Sequence, residues 1–420
     1  MKVLIVNTSE YTGGAAIAAN RLMKALINNG IKAKMLVRDK QTGQITVASL
    51  PKSPLLRSKF VWERFVIWVA NRFSKNNLFQ IDIANTGTDI TALPEFKEAD
   101  VIHLHWINQG FLSLNNINRI IESGKPIVWT MHDQWPSTGI CHYSGTCTRY
   151  ETECHHCPLL AGGGSAHDLS NKVFRKKERM LRKAHIIFVT CSHWLEEKAR
   201  RSSLMLSQEI VSIPNTINSA IFHPMDRKTL RKQNNLPADK KLLLFGSLKL
   251  TDPRKGIDYM MEACRILKET SPAWSSNIGI IVVGNRAEEI RRLFPFPVYA
   301  FDYVSDEKKM AQIYNMADVF ITPSLEDNLP NTIVESMSCG VPCVGFRVGG
   351  IPEMIDHQIN GYLAETANAT DLAEGIRFVL QDDRHQALSE QALHKALAMY
   401  GETNVASKYI AVYRRIADKR

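Results

Sequence analysis

The stretch "DVFITPSLEDNLPNTIVESMSCGVPCVGF" (318–346) holds one complete folding unit. "DVFIT" is an apolar run of strand length, residues 331–339 follow a helical pattern closed by Gly340, and "PCVGF" is a second apolar run. Near-continuous apolar strands joined through a helix belong to a parallel sheet covered on both faces. Pro330 fits the first helical turn, where its missing N–H costs nothing. The same corner gathers acids: Glu326 and Asp327 in the loop, and Glu335 within the helix.

The beat repeats in both directions. "KVLIV" (2–6), "KAKMLV" (32–37), "DVIHLHW" (100–106), "PIVWTMH" (126–132), "AHIIFVTCS" (184–192) and "EIVSIPN" (209–215) read as strands in the first half. "AAIAANRLMKAL" (15–26) and "NNINRIIESG" (115–124) read as helices between them. After a polar, irregular stretch at 215–240 the pattern restarts with "KKLLLFGSL" (240–248), a helix at 256–269 and "IGIIVVGN" (278–285). A chain of 420 residues is too long for one core, so two doubly wound, Rossmann-like domains are expected, 1–215 and 216–401. Ligands of such sheets bind beyond the carboxyl ends of the strands, which places the site in a cleft between the halves.

Charge is unevenly spread. Net charge is +10. The first 215 residues hold 27 Lys and Arg against 17 Asp and Glu, and the remainder holds 25 of each. The first half is therefore expected to face something anionic. No run of about 18 apolar residues occurs, and the opening apolar run is too short for a signal peptide. A cytoplasmic protein, peripheral at most to the inner membrane face, is the expectation.

The acidic corner has two readings. A helix start with unsatisfied N–H groups favours a phosphate, and Glu335 could accept both hydroxyls of a ribose diol. Alone, Glu335 is as readily a helix-face acid and Asp327 a loop cap. The following "CGVPCVGFRVGGIPEMIDHQINGYL" (339–363) decides between them. Pro323, Ser324, Asp327, Glu335, Met337, Cys339, Gly340, Pro342, Gly349, Gly350 and Glu353 together resemble the nucleotide-sugar site of family-4 glycosyltransferases of the GT-B fold. The family's first acid is usually Glu, where this chain has Asp327 preceded by Glu326. "LFGSLKLTDPRKGIDYMMEA" (244–263) is similar to the family's strand-loop-helix for the donor diphosphate, with Lys255-Gly256 matching. The family's arginine after this strand is absent, and Arg254 or Lys249 stands in for its charge. The resemblance implies donor binding by Gly13, Gly14, Lys249, Arg254, Lys255, Glu326, Asn328, Leu329, Asn331, Thr332 and Glu335.

In the first half, Gly13-Gly14 lie between the first strand and helix and let backbone approach a phosphate. The pair does not form G-x-G-x-x-G, so a dinucleotide fingerprint is not implied. His132-Asp133 end a strand, where a histidine can hydrogen-bond a sugar hydroxyl. The family has a histidine there, so His132, Asp327 and Glu335 are the expected catalytic residues. His103, His105 and Asp133 are assigned to the acceptor side.

Four of eight cysteines cluster as C-x5-C-x6-C-x2-C: Cys141, Cys147, Cys154 and Cys157. A structural zinc, free thiols and two disulfides all fit this spacing. The chain resembles a colanic-acid-type subset of the family, making exported polysaccharides, that carries such a loop. The reaction itself requires no cofactor.

Two segments suit an anionic bilayer. Trp62, Phe65, Val66, Val69 and Phe73 form a helical apolar stripe flanked by Lys59, Arg64, Arg72 and Lys75, and residues 172–183 pack seven basic side chains. A core stripe and a solvated basic face are the plainer alternatives. The resemblance implies a retaining transfer from a nucleotide-diphosphate sugar to a saccharide, lipid-linked acceptor, with 402–420 as a terminal helix crossing back to the first domain. A sugar-nucleotide epimerase or hydrolase is the first rival. A zinc-stapled nucleic-acid binder is the second, and it lacks interleaved aromatics and a reading motif.

Overall fold

Two fully parallel sheets organise the chain. In the computed structural model, which describes residues 1–420 except 52, 54, 271–274 and 419–420, the first sheet has seven strands. They are β1 (Lys2–Ser9), β2 (Lys32–Asp39), β3 (Val47–Ser49), β4 (Val101–Leu104), β5 (Ile127–Met131), β6 (Ile186–Thr190) and β7 (Glu209–Ser212). Their order is β3-β2-β1-β4-β5-β6-β7. The second sheet comprises β8 (Lys241–Lys249), β9 (Ile278–Asn285), β10 (Val298–Phe301), β11 (Val319–Thr322), β12 (Cys343–Phe346) and β13 (Gly361–Ala364). Its order is β10-β9-β8-β11-β12-β13. Both sheets wind outward from their first strand and then reverse, so the order switches beside β1 and β4 in one and beside β8 and β11 in the other. Such switch points leave a crevice at the strands' carboxyl ends.

The apolar runs are buried on both faces. In β1, Leu4 and Val6 enter one core layer while Val3 and Ile5 enter the other, as the two-residue side-chain period dictates. The layer holding Val3 and Ile5 also takes Leu22 and Met23 of the helix Gly14–Asn28. It takes Val405, Tyr409, Val412 and Tyr413 of the last helix, Glu402–Asp418, as well.

The chain divides into a unit of Met1–Pro214 with Val405–Arg420, and a unit of Asn215–Asn404. The last helix thus begins in the second unit and belongs from Val405 onward to the first. Its expected final residues, 419 and 420, lie outside the described residues.

The helix Leu55–Ala70 turns its apolar stripe outward. Trp62, Phe65, Val69 and Phe73 are exposed, and Val66 is half-buried. Glu63, Arg64 and Ile67 are buried instead. The core alternative for this stripe is therefore excluded, and Arg64 is not one of its solvated flanking charges.

Candidate active site

In the second unit, the loop after β8 and the loop after β11 are interlocked. A short turn, Pro253–Lys255, ends at Gly256 with φ 67°. A Cβ on Gly256 would lie 1.9 Å from the Pro323 carbonyl oxygen, so only glycine fits this approach. The Leu325 N–H donates to the Arg254 carbonyl at 2.8 Å. These contacts bring the Lys255 ammonium to 2.6 Å from Asp327 Oδ2. Behind Asp327, Gly349 adopts φ 57°, and a Cβ there would meet the Asp327 carbonyl oxygen at 1.7 Å. The Gly350 N–H donates to that oxygen at 3.2 Å. The two loop acids are thereby distinguished: Asp327 is buried against Lys255, and Glu326 is half-buried.

The helix Asn331–Ser338 starts immediately after Pro330, which is its cap residue rather than part of its first turn. No side chain caps this start and no acid lies in its first turn, so its positive end is available to an anion. Glu335 is buried, and its Oε2 accepts the Tyr314 hydroxyl at 2.8 Å. Tyr314 is itself fully buried, on the helix Glu307–Met316. Around the start, Asn328 and Leu329 are buried, while Asn331 and Thr332 are half-buried. The Asn331 side-chain oxygen accepts from Asn215 Nδ2 at 3.0 Å. Arg254 is half-buried and pairs with Asp252 at 2.9 Å, whereas Lys249 is exposed.

In the first unit, Gly13 precedes the helix Gly14–Asn28 with φ 90°, no side chain caps that start, and open space surrounds the position of a Cβ. Three histidines converge at the ends of β4 and β5. The His105 Nδ1 lies 2.9 Å from His132 Nε2, with the rings stacked 5.2 Å apart. The His132 Nδ1 lies 3.6 Å from the Cys191 sulfur. Burial holds His132 down at about 4, against an upward pull from Asp133. Burial, and then the neighbouring histidines, keep His105 well below the usual range. Both rings are neutral at neutral pH, so they exchange hydrogen bonds rather than charge. The His105 Nε2 is buried without a hydrogen-bond partner.

His103, the third, lies behind them, its ring centroid 4.2 Å from that of His105. It is fully buried, its Nε2 2.7 Å from Thr130 Oγ1 and its Nδ1 2.7 Å from the Tyr413 hydroxyl. It anchors the last helix to β4 and has no ring nitrogen left for an acceptor. Asp133 is likewise engaged within the unit. Its Oδ2 accepts from Trp106 Nε1 at 2.9 Å and faces His142 Nδ1 at 2.7 Å, and its Oδ1 accepts the Trp135 N–H at 2.9 Å. Tyr314, Asp82 and His142 were not singled out by sequence reasoning as partners of these groups. Only His142 left a signal, as a neighbour of Cys141.

All eight cysteines are free thiols. Burial pushes Cys141 and Cys154 up to about 12 and Cys157 up to about 11, so they stay protonated at neutral pH. Among the described residues, no group of three or more His, Cys, Asp or Glu side chains is placed to hold a metal ion.

Two family models match the chain. The one described as Glycosyltransferase Family 4 matches residues 12–220, and the one described as Glycosyl transferases group 1 matches residues 239–382. These are glycosyltransferase domains. The chain is 24% identical over 212 residues to the N-acetyl-alpha-D-glucosaminyl L-malate synthase of Bacillus anthracis, covering 49% of this chain and 54% of the relative. It spans about half the length of the curated relatives it matches. Sucrose-phosphate synthase from Thermosynechococcus elongatus aligns over 100% of both chains, with TM-score 0.69 and 17% identity. Anabaena HepE in complex with UDP-glucose aligns over 99% of this chain and 100% of its own, with TM-score 0.66 and 16% identity. The glycosyltransferase domains thus have the GT-B fold, each a doubly wound parallel sheet.

Proposed function

We propose that the protein is a retaining glycosyltransferase that moves a sugar from a nucleotide-diphosphate sugar to a saccharide acceptor. The observation that carries this reading is the corner at the β8/β11 switch point. It combines an uncapped helix start, a lysine held by Asp327, and a buried carboxylate, Glu335. In this reading Glu335 accepts the hydroxyls of the donor ribose. Lys255, Arg254 and the helix start neutralise the charge that develops on the leaving diphosphate, the step at which preorganised electrostatics contribute most. Asp327 holds the Lys255 ammonium in position and orients the donor sugar. His132 and the Gly13-Gly14 loop serve the acceptor. HepE, whose structure contains UDP-glucose, lends support to a nucleotide-sugar donor.

The acceptor is proposed to be lipid-linked, in surface or capsular polysaccharide synthesis at the inner membrane face. The exposed Trp62, Phe65, Val69 and Phe73 support this, because an apolar helix face beside basic residues suits an anionic bilayer surface. Among the described residues, no helix is long and apolar enough to cross a membrane.

The test is transfer of labelled sugar from a panel of nucleotide sugars to polyprenyl-diphosphate saccharides, with NMR of the product. Acceptor-dependent transfer with the anomeric configuration kept is expected. Donor turnover at the same rate without acceptor would instead indicate an epimerase or hydrolase, and an inverted product would remove the retaining mechanism.

A further inference from the structure

The cysteine loop carries a residue that the donor and acceptor assignments leave unused. Residues 80–82 and 140–142 run antiparallel. Ile81 bridges Cys141, the Asp82 N–H donates to the Ile140 carbonyl at 2.8 Å, and the His142 N–H donates to the Gln80 carbonyl at 3.3 Å. This pairing sets His142 against Asp82, with Nε2 2.6 Å from Asp82 Oδ2. The other ring nitrogen, Nδ1, lies 2.7 Å from Asp133 Oδ2. All three side chains are buried.

Each ring nitrogen of His142 therefore faces a carboxylate oxygen. A neutral imidazole has one N–H and would leave one carboxylate facing a bare lone pair, whereas the imidazolium donates to both. Burial pulls the ring down, but Asp133 and Asp82 outweigh it and hold it up at about 10. The surrounding charges are organised around this clamp. Arg64, from the helix Leu55–Ala70, pairs with the other Asp82 oxygen, and Glu63 lies 3.4 Å from Arg64. Lys177 interacts electrostatically with both Asp82 and Asp133. Its ammonium is fully buried, 3.4 Å from the Trp135 ring centroid, and donates to the Trp135 and Thr138 carbonyls.

The clamp bears directly on the turn that presents His132. Asp133 follows His132 in the chain. One Asp133 oxygen is fixed by the Trp135 N–H, and the other by Trp106 and His142. We propose that His142 is a positioning residue: held between Asp82 and Asp133, it fixes the 132–135 turn and so sets the orientation and protonation of His132. Its bearing on sugar transfer rests on the glycosyltransferase reading; the clamp itself does not. The cysteine loop then acts by delivering His142 to the end of β5.

The test is NMR of the full chain with isotope-labelled histidine, following ring nitrogens from pH 5 to 10. In the unsubstituted protein His142 shows two protonated nitrogens across neutral pH, and His132 stays neutral. In His142→Gln the Asp133 charge is no longer balanced, so His132 takes up a proton at least tenfold more readily. An unchanged His132 titration in the folded variant would overturn the proposal. Should His142→Gln not fold, Asp82→Asn retains His142 and removes one carboxylate. His142 should then lose its proton at least tenfold more readily, and an unchanged midpoint would equally overturn the clamp. UDP binding by the same samples reports on the second unit alone. Its absence from the unsubstituted protein would count against the glycosyltransferase reading while leaving the His132 result to decide the clamp.

Discussion

In the proposed donor site, Glu335 is the residue on which binding should depend most. Its buried carboxylate is oriented by the Tyr314 hydroxyl at 2.8 Å. Hydrogen bonds to a charged group contribute about 1.5–3 kcal/mol, so Glu335→Ala should weaken nucleotide binding by roughly 10- to 100-fold in calorimetry. An unchanged affinity would remove the ribose role. The histidines supply a second prediction, in pH. Burial holds His132 at about 4 and His103 at about 3, below their unfolded value. The unfolded chain therefore binds protons first, and stability should fall as pH drops from about 6.5 towards 4. His142 has the opposite sign. Held up at about 10 in the fold, its contribution is fully present below about 6.5 and is lost as pH rises towards 10. His142→Gln should flatten the alkaline limb of a denaturation-versus-pH curve and, by breaking a buried pair, cost about 3 kcal/mol at neutral pH. At this scale the sequence singled out Glu335, Asp327 and Lys255, because they stand in a long local pattern, and the structure pairs Lys255 with Asp327. The sequence did not disclose the Asp82–His142 contact, whose partners are 60 positions apart and follow no period. Nor could it show that His103 would spend both ring nitrogens on Thr130 and Tyr413.

Among the elements, the helix Leu55–Ala70 and the last helix make contrasting predictions. The first presents Val61, Trp62, Phe65 and Val69 to solvent, while burying Glu63 and Arg64 against Asp82. Periodicity located the stripe but could not assign its face, because a buried ionic cluster on the opposite side competes for the interior. Trp62→Ser with Phe65→Ser should reduce sedimentation with anionic vesicles several-fold while changing stability by less than about 0.5 kcal/mol, since exposed apolar groups contribute little to folding. Equal sedimentation would argue against a bilayer role for this face. The last helix is the opposite case. Val405, Tyr409, Val412, Tyr413 and Ile416 are buried in the core layer they share with β1. At about 1.5–3 kcal/mol for each large apolar side chain, ending the chain before Val405 should cost as much as a domain's whole stability. Calorimetry of that truncation should show the first unit's transition lost. The short strands β3, β10 and β13 escaped sequence reading.

Taken whole, the molecule uses one winding twice, with the same order for the first six strands of each sheet and a seventh, β7, added at the edge of the first. That repetition was legible because all-parallel strands are buried on both faces and read as continuous apolar runs. Each switch point is furnished differently: histidines and a Gly-Gly turn at β1 and β4, acids, a lysine and an uncapped helix at β8 and β11. The uneven charge follows the same division, since the +10 excess lies in the first 215 residues. The central claim, that the second unit holds a nucleoside diphosphate, is tested most directly by thermal denaturation of the full chain with nucleoside diphosphates and nucleotide sugars. A ligand at about 100 times its Kd stabilises by about 2.7 kcal/mol, enough to raise a melting temperature by several degrees. At least one nucleoside diphosphate should produce that rise, and Glu335→Ala should abolish it. No rise with any nucleoside diphosphate, or the same rise in Glu335→Ala, would contradict the account.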